Sequence, residues 1–123
     1  MITINKNFKN FAITCTAIKM GNDWNISIYG GDIPHIGALA LGIPRPSLKD
    51  KNKISSSVSI LTITGHKEDD IVKKIAELCS SAWNSTVVVT CGIHIDNLTL
   101  NDITQLNSLI DDLAHELITK III

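Results

Sequence analysis

The chain has 123 residues, enough to bury a core without metal or disulfide staples, and a single domain spanning residues 1–123 is expected. Aromatics make up only 4% of it against a hydrophobic share of 45%, which predicts an aliphatic core of the kind a packed sheet provides. A formal net charge of -1 lacks the clustered positive charge that polynucleotides require, and no apolar run approaches the ~20 residues of a membrane helix, so neither nucleic acid nor membrane is an expected partner.

The lysine-bearing start, residues 1–9, runs into an apolar stretch that alternates with threonine and lacks a signal cleavage pattern, so that stretch is read as a strand. Residues 11–19 and 23–30 are predicted as antiparallel strands joined through Gly21-Asn22-Asp23, with Trp24, Ile26 and Ile28 sharing a face. A third strand is expected over 35–43, with Ile36, Ala38, Ala40 and Gly42 on one side, ending at Pro44. From Pro44 to about Ser57 the composition predicts a long connection, because two prolines remove backbone donors and a polar stretch follows. A fourth strand follows over 58–64.

A helix is predicted from about 68 to 83, with Ile71, Val72, Ile75, Leu78, Cys79 and Ala82 at helical spacing. Glu68, Asp69 and Asp70 fall in its first turn, where acids complement the helix dipole. Residues 86–90 read as a short buried strand, extended by Ile93-His94-Ile95 past a bend at Gly92. Thr99 with Asp102 predicts a capping box for a last helix whose inward stripe is Ile103, Leu106, Ile110, Leu113, Ala114 and Leu117. The order β-β-β-β-α-β-α predicts an α+β fold: a mixed, largely antiparallel sheet of about five strands with two helices packed on one face. Cys15, Cys79 and Cys91 are odd in number and lack Cys-x-x-Cys spacing, which fits a reducing cytoplasm and supports neither disulfides nor a zinc knuckle.

Three hydrophobic stretches each run into a glycine-bearing break that carries a histidine, at His35, His66 and His94, and this pattern suggests one shared site. Pro34 and Gly37 bracket His35 in a loop that either holds the imidazole for function or merely turns into a strand. Arg45, between Pro44 and Pro46, has a restricted backbone suited to clamping an anion, or else forms a surface ion pair. Gly65-His66-Lys67 opens a helix, where free N–H groups attract an anion; ordinary capping is the competing reading. His94 and Asp96 fall on the same side of an extended chain, where they could ligate a metal or fix an imidazole tautomer. Three histidines and an aspartate suit zinc or iron by residue type, yet their spacing matches no local metal motif. His115, beside the stripe of the last helix, is left outside the site, and Cys91 is read as a packing residue.

The blocks Gly30-Gly31-Asp32-Ile33-Pro34-His35-Ile36-Gly37-Ala38, Pro44-Arg45-Pro46-Ser47-Leu48, Thr64-Gly65-His66-Lys67 and Cys91-Gly92-Ile93-His94-Ile95-Asp96-Asn97, in that order, resemble the prenylated-flavin chaperone-like proteins, typified by the small accessory component of gallate and hydroxyarylic-acid decarboxylases. The resemblance spans about residues 11–118. It implies a non-catalytic accessory protein that binds, protects or delivers prenylated flavin mononucleotide, or FMN itself, beside a partner aromatic-acid decarboxylase and a flavin prenyltransferase. It implies a cofactor site drawn from His35, Gly37, Arg45, Ser47, His66, Lys67, His94, Asp96 and Asn97; by their chemistry Arg45, Lys67 and a helix N-terminus could hold the phosphate while Asn97 and the histidines hydrogen-bond the ring edge. Flavin rings often stack on aromatics, and Trp24, Tyr29 and Trp83 are the few candidates, with aliphatic walls as the substitute. Two other readings stay open: a small metal-dependent hydrolase or lyase built on His35, His66 and His94, and a ligand-free structural subunit. Homo-oligomerisation is left open as well.

Overall fold

A computed structural model describes residues 1–63 and 68–121 of the protein. The elements follow in the order β1 (Ile2–Phe8), β2 (Phe11–Met20), β3 (Asp23–Gly31), β4 (Ala38–Pro46), β5 (Ile54–Thr62), α1 (Asp69–Trp83), β6 (Val87–His94) and α2 (Leu100–Lys120). The strands form one mixed sheet in the order β1-β2-β3-β6-β4-β5, in which only β3 and β6 run parallel. The architecture is the α+β arrangement expected, with six strands rather than about five.

The additional strand is β1, which pairs with β2 from Ile2↔Ala17 to Phe8↔Phe11 across a two-residue turn, with Lys9 at φ 55. Its Asn5, Lys6 and Asn7 have low strand propensity, but Ile4 and Phe8 alternate into the core and supply the burial that decides the matter. The second correction concerns the prolines. β4 continues through Pro44 and Pro46, paired with Ser56 and Ile54 of β5, so the connection is short and β5 starts earlier than the expected strand. Pairing between β4 and β6 stops at Gly42, so beyond it one edge of β4 is free and the missing proline donors break no ladder bond. Likewise β6 runs unbroken through Gly92 to His94, paired with β3 on one side.

Both helices cover one face. α1 packs on β4, β5 and β6, and α2 packs on β1 and α1. α1 buries Val72, Ile75, Ala76, Cys79, Ser80 and Trp83, and the Trp83 ring lies 5.3 Å from that of Trp24. Ala82, placed in the stripe by spacing, is exposed, because the helix turns Trp83 inward instead. α2 buries Leu106, Ile110, Leu113, Ala114 and Leu117, while Ile103 is exposed because the first turn of α2 extends past the core. Each fully buried isoleucine or leucine contributes about 1.5–3 kcal/mol of transfer free energy. The capping box is formed: Asp102 N–H donates to Thr99 Oγ1 at 3.1 Å and Thr99 N–H donates to Asp102 Oδ2 at 3.0 Å.

The opposite face of the sheet carries no helix. Strand register defines a full rung across it, Thr3–Thr16–Ser27–Thr90–Leu39–Leu61, flanked by Ile18–Asn25–Val88–Leu41–Ser59 and by Asn5–Thr14–Tyr29–Gly92.

Candidate functional site

Because β3 and β6 are parallel and β4 is antiparallel to β6, the C-terminal ends of β3 and β6 lie at the same end of the sheet as the start of β4. β5 finishes there too, with Thr62 opposite Ala38, and α1 begins a few residues later. Element ends from every part of the chain beyond the β1–β2 hairpin therefore meet at one place, the crevice in which open α/β sheets commonly bind ligands.

His35 and His94 meet at this end of the sheet, with ring centroids 6.3 Å apart and planes inclined at 76°. His35 Nδ1 donates to the Ile33 carbonyl at 3.0 Å, and its Nε2 stands 3.5 Å from Glu68 Oε1. His94 Nε2 donates to Asp96 Oδ1 at 3.0 Å, which fixes the tautomer of the neutral ring. Asn97 follows at φ 60, in the left-handed region that asparagine tolerates, at the turn leaving β6. The segment between β3 and β4 is tied down by Asp32 N–H donating to the His94 carbonyl at 2.7 Å and Gly37 N–H donating to the Cys91 carbonyl at 2.8 Å.

The glycines have a different task from the one their sequence setting suggests. A Cβ at Gly92 would fall on the His35 carbonyl, one at Gly31 on the His94 carbonyl, and one at Gly37 would lie 2.5 Å from Glu68 Oε2. Their bare backbone is covered by the protein's own chain, so they serve to bring the two histidines together.

Glu68 is the residue that sequence reasoning placed only in the helix dipole. It occupies the N-cap position of α1 without capping it, and its buried side chain turns to the sheet end, where Oε1 accepts the Ile93 N–H at 3.4 Å. No periodicity marks such a residue; the signal in the sequence was an acid directly after a glycine-histidine break.

Exposed isoleucines lie on the segment that carries His35 and on the chain bonded to it. Ile33 and Ile36 are 61% and 58% exposed on the segment that carries His35, and Ile63 donates its N–H to the Gly37 carbonyl at 2.9 Å while remaining half exposed. Tyr29 lies opposite Gly92 and is the one aromatic of the three candidates at this end. Trp24 and Trp83 are buried against each other beside Val87, at the far end of β6.

Arg45 and Ser47 are not brought to the histidines. Arg45 lies seven residue steps along extended β4 from Ala38, about 23 Å at ~3.3 Å per residue. There Arg45 Nε donates to Ser57 Oγ at 2.8 Å and Nη1 to the Pro46 carbonyl at 3.2 Å, beside a depression of ≈ 410 Å³ that Glu77 also lines. Ser47 shapes the β4–β5 turn, accepting the Lys49 N–H at 3.2 Å. His66 and Lys67 lie outside the described residues. Cys91 is buried under the site, and burial first, with the Glu68 charge second, pushes its thiol up to about 12, so it is a packing residue rather than a nucleophile. His115 is exposed on α2.

The sequence profile of the prenylated flavin chaperone LpdD-like domain matches residues 7–122. The chain belongs to this family. No curated protein matches it. A prenylated flavin chaperone is an accessory protein, and the resemblance in the four sequence blocks is thereby borne out at the level of the family. Among the described residues no helix is long and apolar enough to cross a membrane, and no group of three or more His, Cys, Asp and Glu is placed to hold a metal ion.

The donor set at the sheet end fits one part of a flavin. Imidazoles, a carboxylate and Asn97 match the hydrogen-bonding edge of the ring, and the exposed isoleucines match an apolar ring face. Of the basic residues assigned to the phosphate, Lys67 directly precedes Glu68 in the chain, whereas Arg45 stands at the other end of β4.

Proposed function

We propose that this protein binds prenylated flavin mononucleotide at the crevice formed by His35, Gly37, His94, Asp96 and Asn97, shields it, and delivers it to a partner aromatic-acid decarboxylase. The observation that carries the reading is the combination of two oriented imidazoles with a rim of exposed Ile33, Ile36 and Ile63. Exposed isoleucines beside a polar centre suit an amphipathic ligand.

In this reading His35 and His94 hydrogen-bond the polar edge of the ring, each already oriented by a protein acceptor, so little ordering entropy is lost on binding. The isoleucines and Tyr29 cover its apolar face and exclude water. Arg45 and Ser47 stand apart from this site. The prenylated flavin supplies the decarboxylation chemistry once it is in the enzyme; the residues here hold and protect it.

Anaerobic titration with reduced prenylated flavin mononucleotide, followed by absorbance and calorimetry, tests the proposal. Saturable one-to-one binding, weaker for the dephosphorylated form, is expected. Absence of saturable binding overturns it. Near-stoichiometric zinc or iron in chelator-free protein, lost in a His35→Ala variant, would favour the metal reading on His35, His66 and His94.

A further inference from the structure

The sheet ends at β5 in an edge that the chain leaves undefended. β5 is last in the strand order, and among the described residues no strand pairs with its far side. Two bonds show which of its backbone groups face outward. Just beyond the two ends of the β4–β5 ladder, Ser47 N–H donates to the Lys53 carbonyl at 2.8 Å and Ile63 N–H donates to the Gly37 carbonyl at 2.9 Å. The hydrogen-bonded pairs of this ladder therefore fall on odd-numbered residues, and Ile54, Ser56, Val58, Ile60 and Thr62 turn their N–H and C=O groups away from β4. Natural edges are blunted by charge, proline, bulges or brevity. β1, the opposite edge, carries Lys6 near its middle, tied to Glu116 of α2 at 2.7 Å. β5 contains no charged residue, proline or glycine, and its pairing runs without a bulge from Ile54 to Thr62.

We propose that β5 pairs antiparallel with β5 of a second copy, about a two-fold axis through Val58, so that two six-stranded sheets become one. Register and charge select this occupant. Centred on Val58, the outward residues match one to one, Ile54 with Thr62, Ser56 with Ile60 and Val58 with Val58, so every outward N–H and C=O finds a partner and two of the three kinds of pair join β-branched side chains. The charges lie beyond the strand ends and have opposite sign at the two ends. The exposed β4–β5 turn carries Lys49, Lys51 and Lys53 against the single acid Asp50. At the other end α1 begins: Ser80 of α1 donates to Ser56 of β5, and Asp69 and Lys73, eleven and seven residues before Ser80, share its flank of the helix. Antiparallel pairing sets the basic turn of one copy beside Thr62 and Asp69 of the other, twice by symmetry. It also brings Lys73 of one α1 toward the other's Glu77, which is exposed and lines the depression beside Ile54. The surface is thus complementary to itself, as an isologous contact requires.

The seam is about 30 Å long at ~3.3 Å per residue and roughly 15–20 Å deep through sheet and helix, on the order of 500 Å² per partner. That is below the ~800 Å² of a standard interface, so dissociation in the micromolar range is expected. Because Lys6 blunts the edge at β1, assembly closes at two copies. The proposal rests on the sheet edge and stands whether or not flavin binds.

Sedimentation velocity of the flavin-free protein from 1 to 500 µM is the test, and a species of twice the 13.4 kDa chain mass is expected at the upper end. Ile60→Pro removes an outward donor and no β4–β5 bond, as Pro44 and Pro46 do on β4. It leaves a Ser56 carbonyl unpaired in each half of the seam, and is expected to weaken dimerisation at least thirtyfold with unchanged far-ultraviolet dichroism, whereas Ile60→Thr dimerises as the wild type does. Should Ile60→Pro fail to fold, charge reversal decides. Lys51→Glu/Lys53→Glu and Asp69→Lys are each expected to weaken self-association at least tenfold, and an equimolar mixture of the two proteins to dimerise again, since each then meets the opposite sign at both ends. A wild type that stays monomeric across the range, including one that pairs only with a strand from another protein, overturns the proposal. So does a folded Ile60→Pro protein that dimerises like the wild type, or a mixture of the charge variants that associates no better than each alone.

Discussion

Gly92→Ala probes the link between packing and site most sharply. The Cβ it introduces would fall on the carbonyl of His35, with Ile36 N still only 3.0 Å away. Ordinary carbon–oxygen contacts begin near 3.3 Å, so the segment must retreat from β6 by more than about 1 Å. The obstructing atoms are backbone, and no side-chain rotation relieves them. Retreat strains the Gly37 N–H to Cys91 carbonyl bond beside it. Overpacking costs about 1–3 kcal/mol and the lost hydrogen bond about 0.5–1.5, giving roughly 2–4 kcal/mol. For a chain of this length that lowers Tm by on the order of 10 °C. Gly21→Ala is the control: its Cβ meets nothing within 4 Å, and only the φ of 63 is strained, at a cost of about 1 kcal/mol without effect on the site. Calorimetric unfolding together with the ring resonances of His35 and His94 reads both effects. A Gly92→Ala protein with wild-type Tm and unchanged histidine resonances would refute the reasoning.

Other expectations follow from the same contacts. Arg45→Ala should change flavin affinity less than twofold, by titration; a tenfold loss would return Arg45 to the phosphate role. Thr99→Ala should destabilise α2 by about 1 kcal/mol in urea unfolding, the usual worth of an N-cap, and a change below about 0.3 kcal/mol would show the cap to be idle. Lys9, followed by the Thr99 backbone, holds the Asp102 carboxyl below its usual value of 3.8. A depressed native value adds stability above pH ~3.8 that is lost as pH falls through it, so acid unfolding of Asp102→Asn should depend less on pH in that window. A pH-independent difference between the two proteins would contradict this. Cys15, Cys79 and Cys91 are buried, with thiols pushed up to about 12, so a disulfide reagent should react with them only on unfolding; fast labelling of native protein would contradict their burial.

Local signals with a tertiary consequence in the same direction were legible. The Gly21-Asn22 hairpin, the Trp24–Ile26–Ile28 alternation and the Thr99–Asp102 box could be read because propensity, pattern and burial agree there. β1 was hidden because its polar residues argue against a strand until Ile4 and Phe8 find the core. The β4 prolines misled because their tolerance depends on where β6 stops, a fact about neighbours rather than about β4. In the site, the pairing of His94 with Asp96 followed from alternation alone. The separation of Arg45 from His35 did not, since ten residues of sequence conceal that most of them are extended and point away. Glu68 was overlooked because a helix N-terminus explains an acid too readily, and nothing local shows that its side chain turns to the sheet.

The central claim is that the imidazole pair at the sheet end forms the flavin-binding crevice. Calorimetric titration of reduced prenylated flavin mononucleotide into the wild type, the His35→Gln/His94→Gln double variant and a His115→Gln control tests it most directly. The account predicts saturable binding in the wild type and control and at least tenfold weaker binding in the double variant at unchanged fold. Equal affinity in all three proteins would contradict it.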